Sequence, residues 1–310
     1  AAYADRAMDG TKFERENVAL KFEKRNISSL VNKVEANVYY SYIDHVMDNY
    51  SLRSNTGMKM LNNPDRETRG GRLAVTLAPT EPLLLVLGAD MKRDEHSFRD
   101  GTNYFAKPRA GDLSFDRYGV FGEATYALDE VRRVIGGLRV DDHEVTNDKM
   151  GGITQGETLP SGFLRYESDY AGGAGTWYVG LGHVERFPDY WEYMRTANLP
   201  RSGDARSFAT LEAERTTQLD LGANWTQGAW SAAVAGFYGK VDDYILLRWV
   251  TPVTANVRNV DATVYGLEGD VSWRFAPYWQ AYGTVAWVRG MNDTDDKPLA
   301  QQPPLEAKLG

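Results

Sequence analysis

Cysteine is absent from the sequence, so none of the 310 residues can form a disulfide or a thiolate metal site. The chain also lacks any run of about 18 apolar residues, which excludes a transmembrane helix. Acidic residues outnumber basic ones, 43 against 35, and the net charge of −8 argues against nucleic acid as a partner. A length of 310 residues allows two ordinary domains or one large β domain.

Motifs of common enzyme classes are also absent. The sequence contains no G-x-S-x-G, H-E-x-x-H or P-loop pattern, the arrangements that position a nucleophile, a zinc ion or a phosphate. We therefore expect a protein that catalyses no covalent chemistry.

The stretch from Lys33 to Leu52 alternates between apolar and polar residues with a period of two. Because successive side chains of a strand point to opposite faces, this pattern predicts a β-strand. One face of this strand is apolar, and the opposite face is mostly polar and ends in His45 and Met47. A long strand with one apolar and one polar face is typical of a transmembrane β-barrel wall. The apolar and aromatic face carries Val34, Ala36, Val38, Tyr40 and Tyr42.

Similar alternation recurs along the whole chain and predicts about twelve strands, each near the ten-residue length that a membrane requires. Strands of a soluble β-sandwich are shorter, about five or six residues as a rule. The predicted strands are Lys12–Lys24, Lys33–Leu52, Glu67–Leu77, Leu83–Asp94, Phe115–Leu128, Val131–Asp142, Leu159–Tyr170, Gly175–Glu185, Thr216–Trp225, Trp230–Leu247, Val260–Arg274 and Trp279–Arg289.

The connections between these strands alternate between tight turns and long polar loops. Outer-membrane barrels show this asymmetry, with short periplasmic turns and long extracellular loops. We therefore predict an all-β fold, an antiparallel transmembrane β-barrel in the bacterial outer membrane, surrounded by lipid and lipopolysaccharide. The long loops are predicted at Ser54–Pro64, His96–Ser114, His143–Thr158 and the irregular stretch Arg186–Phe208, and no helical period of consequence occurs.

The two ends of the chain do not resemble natural termini. The first ten residues lack the basic and apolar regions of a signal peptide, and the last residues have the pattern of an opening strand. We expect the chain to be the middle part of a longer protein.

Several stretches in the second half resemble TonB-dependent outer-membrane receptors, and they follow one another in the family's order. The resemblance implies a barrel of about 22 strands closed by an N-terminal plug, with energy supplied through TonB. Residues 1–310 would then be part of the barrel domain, without the plug, its TonB box or the last strands. The stretches are Gly182–Glu192, Leu211–Gly222, Phe237–Ile245, Asn259–Glu268 and Gln301–Gly310.

The first half of the chain narrows this resemblance. Asn17–Asn26 and Tyr42–Arg53 are similar to copper receptors of the OprC and NosA type. In that group the barrel wall supplies a His-x-Met pair and the plug supplies a Cys and a Met. The resemblance assigns the barrel pair to His45 and Met47. It implies two partners, a copper ion and the TonB complex, which would be reached through the absent plug.

The chemistry of His45 and Met47 agrees with that assignment. A thioether is a soft, uncharged ligand that selects Cu(I), and an imidazole suits copper in either oxidation state. Two residues apart on a strand, their Cα atoms lie roughly 7 Å apart on one face. The pair makes half a metal site at most. The alternative is that both residues are only packing or lumen-lining side chains.

The remaining methionines and histidines carry weaker signals. Met58 and Met60 lie in a predicted external loop, where they either hand copper to the deeper pair or act as apolar filler, the interpretation we favour. His96 and Met150 are predicted to be solvated loop residues, and His183 to lie at the membrane interface. Charges expected to point inward beside acidic neighbours are Arg15, Arg72, Lys92, Arg133 and Arg139.

Three alternatives to a copper receptor stay open at this point. A receptor for an iron chelate would use aromatic and arginine contacts in a large external pocket. A passive porin would have no plug and a constriction of charged rings. An outer-membrane hydrolase would use Asp142 and His143, although neighbouring side chains diverge on a strand.

Overall fold

The computed structural model describes residues 8–196, 205–251 and 254–310. Within them, one sheet contains 14 strands, and the first twelve are neighbours in sequence order. The strands are β1 (Asp9–Arg25), β2 (Val31–Asp48), β3 (Leu61–Thr80), β4 (Leu83–Asp100), β5 (Ala110–Ala127), β6 (Arg132–Asn147), β7 (Ile153–Tyr170), β8 (Gly175–Arg186), β9 (Glu214–Gln227), β10 (Trp230–Thr251), β11 (Thr254–Ala276), β12 (Trp279–Asn292), β13 (Lys297–Pro298) and β14 (Glu306–Leu309).

Each of the twelve predicted segments overlaps one of the strands β1–β12, so the predicted all-β class and strand count are confirmed. The ladders are antiparallel, as in the pairing of β1 with β2 and of β10 with β11. The predicted start of a further strand near the end of the chain corresponds to β14, which pairs with β12.

Three predicted loops are too long because the strands extend further than their apolar residues. β3 begins at Leu61 rather than after Pro64, and the loop predicted at His96–Ser114 is reduced to the residues between β4 and β5. The loop predicted at His143–Thr158 shrinks in the same way to the residues between β6 and β7. The backbone ladder continues through polar residues, and hydropathy alternation does not detect that part of a strand. The strand predicted at Lys33–Leu52 errs in the other direction, since β2 ends at Asp48.

The stretch Arg186–Phe208, predicted to be irregular, contains the short helix α1 (Tyr190–Thr196), while residues 197–204 of that stretch lie outside the described ranges. Asp189 and Glu192 form a reciprocal cap at its start. The Glu192 amide donates to Asp189 Oδ1 at 3.0 Å and the Asp189 amide to Glu192 Oε2 at 2.7 Å. A helix of 7 residues is too short for a 3.6-residue period to be visible in the sequence.

The remaining helical segments are three single turns at Tyr104–Ala106, Asp148–Met150 and Ala171–Gly173. None of the helices in the described ranges has the length and hydrophobicity that a membrane span requires.

The sheet has one face of exposed apolar residues, and the β1–β2 ladder illustrates it. Val18 lies opposite Tyr40, and Leu20 lies opposite Val38. Val18, Leu20 and Val38 are all largely exposed. The odd-numbered residues of β2, including His45 and Met47, belong to the other face. The exposed apolar residues of this ladder therefore lie on the face that the sequence pattern predicts to be apolar.

The chain forms two compact units. The first contains the described residues up to Val75 together with Gly88–Val120 and Asp141–Thr158, and it includes the whole of β1 and β2. The second contains Thr76–Leu87, Phe121–Val140 and the described residues from Leu159 onward. In the second unit α1 packs its buried Tyr193 against Phe208, with ring centroids 5.0 Å apart.

Candidate metal centre

His45 and Met47 lie near the end of β2 that leads into a long connection. His45 is directly opposite Phe13 on β1, and Met47 is opposite Gly10. The register shifts between these two pairs, because β1 has a bulge between Gly10 and Lys12. His45 and Met47 share one face of β2 and are both half-buried, whereas Asp44 on the other face is buried.

The imidazole of His45 is held against an aromatic ring. The ring centroids of His45 and Phe13 are 3.9 Å apart with an interplanar angle of 32°. His45 Nε2 is buried and has no hydrogen-bond partner in the part of the chain that the structure describes. A buried ring nitrogen usually has a partner, and one without it is a candidate metal ligand.

A buried asparagine fixes the backbone of His45 from the neighbouring strand. Asn63 of β3 is fully buried, and its side-chain amide donates to the carbonyl oxygen of His45 at 2.9 Å and to Asp44 Oδ1 at 2.6 Å. Its side-chain oxygen in turn accepts a hydrogen bond from Arg99 Nε at 2.7 Å. The strand segment that carries the imidazole is therefore tied to β3 by side chains as well as by the sheet.

Arg109, which precedes β5, completes this network. Its guanidinium contacts Asp44 Oδ1 at 2.8 Å and Asp65 Oδ2 at 2.9 Å, and it donates to the Asn63 carbonyl oxygen at 3.1 Å. Lys12 of β1 reaches the second oxygen of Asp44 at 2.7 Å. Asp44 thus has two cationic partners and Asp65 has one, while Lys12 also contacts Glu14 at 2.9 Å.

The loop between β2 and β3 has an ordered frame with exposed methionine side chains. Asn49 donates from its amide to the Met58 carbonyl oxygen at 3.0 Å and accepts from the Met60 amide at 2.9 Å. The Met58 side chain is 81% exposed, and Met60 is also exposed. Their thioethers therefore face outward, as the predicted external loop implies.

The same loop is fastened to the start of β1. Arg53 makes two hydrogen bonds to the fully buried carboxylate of Asp9, and these bonds raise the pKa of Arg53 above its ordinary value. Asp9 pairs with Asp48 in the β1–β2 ladder, immediately beside the pair of Gly10 and Met47. The loop thus begins next to the candidate centre and is anchored there.

His45 and Met47 would offer a metal ion two donor atoms of different character, a borderline nitrogen and a soft sulfur. Among the described residues, no group of three or more His, Cys, Asp or Glu side chains could hold a metal ion. A complete site would therefore need further ligands from elsewhere in the protein. Such a half-site suits capture and release of an ion better than permanent retention.

Two other histidines occupy strands. His96 was predicted to be a solvated loop residue, and this is wrong: it lies in β4, is half-buried and has its ring centroid 6.0 Å from that of Phe115. His183 lies in β8, where its ring nitrogens contact Thr217 at 2.9 Å and Glu185 at 3.3 Å. Its location at a membrane interface remains a prediction.

Two of the cations predicted to point inward have acidic neighbours. Arg133 contacts Glu167 at 2.5 Å and Asp169 at 3.4 Å, and Lys92 contacts Asp94 at 2.5 Å. Two of the other three have contacts of a different kind. Arg15 donates to Asn17 at 2.9 Å, and the Arg139 guanidinium lies 5.8 Å from the centroid of Phe121.

The residues proposed for a hydrolase lie on opposite faces of β6, because Asp142 and His143 are consecutive in a strand. Asp142 accepts a hydrogen bond from the Thr158 hydroxyl at 3.0 Å. Met150 is exposed in the turn between β6 and β7, as predicted.

With this geometry established, comparison with known proteins identifies the family. The model of the TonB dependent receptor-like β-barrel matches residues 1–310. The chain belongs to this family of TonB-dependent receptors. Its fold is therefore part of an antiparallel transmembrane β-barrel, and its location is the bacterial outer membrane. Receptors of this family are transport proteins and not enzymes, which argues against the hydrolase alternative.

Solved structures of receptors share the fold of this chain. The structure titled "Copper transporter OprC" has a TM-score of 0.93 and 40% sequence identity, covering 99% of this chain and 50% of its own. The FrpB iron transporter from Neisseria meningitidis (F3-3 variant) has a TM-score of 0.69 and 17% identity, covering 91% of this chain and 44% of its own. The chain therefore spans about half the length of these proteins. Comparison with curated protein sequences gives no match.

Sequence patterns predicted His45 and Met47 but missed the residues around them. Phe13 and Gly10 become neighbours of the pair only through the β1–β2 register, including the bulge. Asn63 lies in a part of β3 without apolar alternation, which the sequence pattern predicts to be a loop. Arg109 lies in the connection before β5, as predicted, but nothing in the sequence indicates its contact with Asp44. The register could have been derived from the hairpin turn at residues 26–30, which fixes which residues lie opposite.

Proposed function

We propose that the protein is a TonB-dependent transporter that binds and imports copper ions, and that His45 and Met47 form the barrel half of its copper site. The observation that carries this proposal is the buried, unpartnered Nε2 of His45 on the same strand face as Met47. The face opposite to the exposed apolar residues is the lumenal face of a barrel wall. An ion at this site would lie inside the barrel near the long connections.

The ligand types favour copper over hard cations. Thioether sulfur binds Cu(I) well and binds Mg²⁺ or Ca²⁺ poorly, while imidazole binds Cu(I) and Cu(II). A plug in the lumen would supply the remaining ligands, and its movement, driven through the TonB complex, would release the ion. Copper is here the cargo of the protein.

The comparison with OprC supports copper rather than an iron chelate. At 40% identity over almost the whole chain, that copper transporter is far more similar than the iron transporters, whose identities are 17% and 18%. The similarity to the iron transporters, at 17% and 18% identity, shows a shared fold alone. The iron-chelate receptor remains the interpretation to which a negative copper result would lead.

The proposal predicts that His45→Ala and Met47→Ala each lose most of the bound copper. Removal of one of two barrel ligands leaves an incomplete coordination shell and should weaken binding by at least about tenfold. The full-length protein, purified from outer membranes with its plug, would be loaded with copper and its metal content measured beside its protein concentration.

His183→Ala and Met91→Ala serve as matched controls, because they remove the same side chains from other strands. His183 is partnered by Thr217 and Glu185, and Met91 is exposed on the apolar face. Both controls should keep the wild-type copper content. Equal copper in all five proteins, or none in any, would contradict the proposed site.

Met58 and Met60 remain the weaker candidates for metal binding. Because both thioethers are exposed in an external loop, they would act in capture and not in retention. The double variant Met58→Leu and Met60→Leu should keep the copper content at equilibrium and slow loading from dilute Cu(I) by a few fold. Stopped-flow loading would measure this, and an unchanged loading rate would reduce the two residues to apolar loop side chains.

A further inference from the structure

The ring of Phe13 packs against the His45 imidazole, and Gly10 of the same strand lies beside both rings. We propose that Phe13 is a positioning residue of the copper site, whose ring holds the His45 imidazole in one orientation, and that Gly10 leaves room for the Phe13 ring in that position. This inference rests on the proposed function and concerns the same site.

The position of Phe13 follows from strand pairing. Phe13 and His45 are direct cross-strand partners, so their side chains project from the same face. The rings are in contact, with centroids 3.9 Å apart, and His45 Nε2 is buried.

Gly10 determines how close the backbone of β1 comes to that nitrogen. A Cβ atom at Gly10 would lie 3.5 Å from His45 Nε2 and 3.1 Å from Phe13 Cε2. The backbone of Gly10 does not have a positive φ, so the obstacle to alanine at this position is steric and not conformational. The second distance is tighter than most Cβ contacts, so the Phe13 ring would have to shift by a few tenths of an ångström.

Phe13 contributes little to the packing of the sheet, which separates positioning from stability. Its side chain is 66% exposed, although it points to the polar face. The ring contact that the structure gives Phe13 is the one with His45. Truncation should therefore leave the fold intact while freeing the imidazole.

The chemistry of a metal-bound imidazole explains why a phenyl ring suits this position. Coordination draws electron density from the imidazole, and the negative face of an aromatic ring stabilises the resulting partial positive charge. An apolar wall also controls whether water reaches the metal as an additional ligand. Phe13 would therefore favour a coordination shell of nitrogen and sulfur without water.

The copper-dependent test uses the full-length protein with Phe13→Ala, Phe13→Trp and Gly10→Ala. Competition with a chromophoric Cu(I) chelator should show about tenfold weaker binding for Phe13→Ala and Gly10→Ala. X-ray absorption of the Cu(I)-loaded protein should show an additional light-atom ligand in those two variants. Phe13→Trp keeps a stacking ring and should restore both properties. Phe22→Ala, on the same strand but on the exposed apolar face, is the matched control.

A second measurement, made without copper, tests whether Phe13 covers the His45 imidazole. Modification of His45 by diethyl pyrocarbonate, followed by peptide mass spectrometry, should be several-fold faster in Phe13→Ala than in wild type or Phe22→Ala. His183 of the same molecule provides the internal reference rate. If wild-type His45 reacts as fast as the Phe13→Ala variant, the shielding is refuted whatever the copper result.

The two measurements distinguish a wrong role for Phe13 from a wrong copper site. Slow modification in wild type together with no bound copper would overturn the proposed function and, with it, the positioning of a metal ligand. Normal copper affinity and an unchanged ligand shell in Phe13→Ala would overturn the role of Phe13 alone.

Discussion

Leu138→Arg is expected to lower the free energy of unfolding in lipid by about 2–4 kcal/mol, the cost of a cation on the lipid face near the bilayer midplane. Leu138 lies in the middle of β6, on the face of exposed apolar residues, and its side chain is 76% exposed. In the family's membrane location this exposed surface is in contact with hydrocarbon. An arginine there would lose its hydration without gaining a partner.

Leu138→Phe is the control at the same position, because it adds bulk and keeps the surface apolar. Its unfolding free energy in urea, measured in lipid vesicles, should stay close to the wild-type value. A Leu138→Arg variant as stable as Leu138→Phe would mean that this face does not meet lipid.

Most of the fold could be predicted because a barrel strand repeats its environment every second residue. Lipid on one side and a polar lumen on the other impose alternation wherever the strand crosses the membrane, as in β2 and β6. Beyond the bilayer both faces of a strand can be polar without cost, so the hydrogen-bonded ladder continues where the apolar alternation stops. Asn63 and His96 lie in such extensions, and both were therefore assigned to loops.

The candidate site was predicted only in part, for a related reason. His45 and Met47 share one strand, and a two-residue spacing is visible in the sequence. Their environment depends on residues that are distant along the chain, such as Arg109, which is 65 positions from Asp44. Cross-strand register and loop contacts decide those neighbours, and neither leaves a local pattern. The helix α1 escaped detection because its cap at Asp189 and Glu192 is its main sequence signal.

Arg109→Met is expected to produce the other large effect, a loss of about 3 kcal/mol in the stability of the segment around His45. The Arg109 side chain is 22% exposed and contacts Asp44 and Asp65, which are 11% and 8% exposed. Removing the cation leaves Asp65 without this charge and Asp44 with Lys12 alone. Methionine retains the length of the side chain, so the change is mainly electrostatic.

Arg93→Met is the matched control, since Arg93 is also a strand-associated arginine with acidic neighbours. Its side chain is 49% exposed and its partner Glu95 is 43% exposed. Such surface pairs contribute less than about 1 kcal/mol because water screens them. Hydrogen exchange of the amides of residues 44–48, read by mass spectrometry, should accelerate by about a hundredfold in Arg109→Met and hardly change in Arg93→Met.

The effect of Arg109→Met on the proposed copper site depends on whether the network of Arg109, Asn63 and Asp44 positions the His45 imidazole. Asn63 connects Arg109 to the backbone of His45, through the bond to the His45 carbonyl oxygen. If the network positions the imidazole, Arg109→Met should weaken copper binding although Arg109 is not a ligand. If amide exchange accelerates while copper affinity stays unchanged, the ladder and Phe13 are sufficient to hold His45, and the network serves the stability of the strand ends alone.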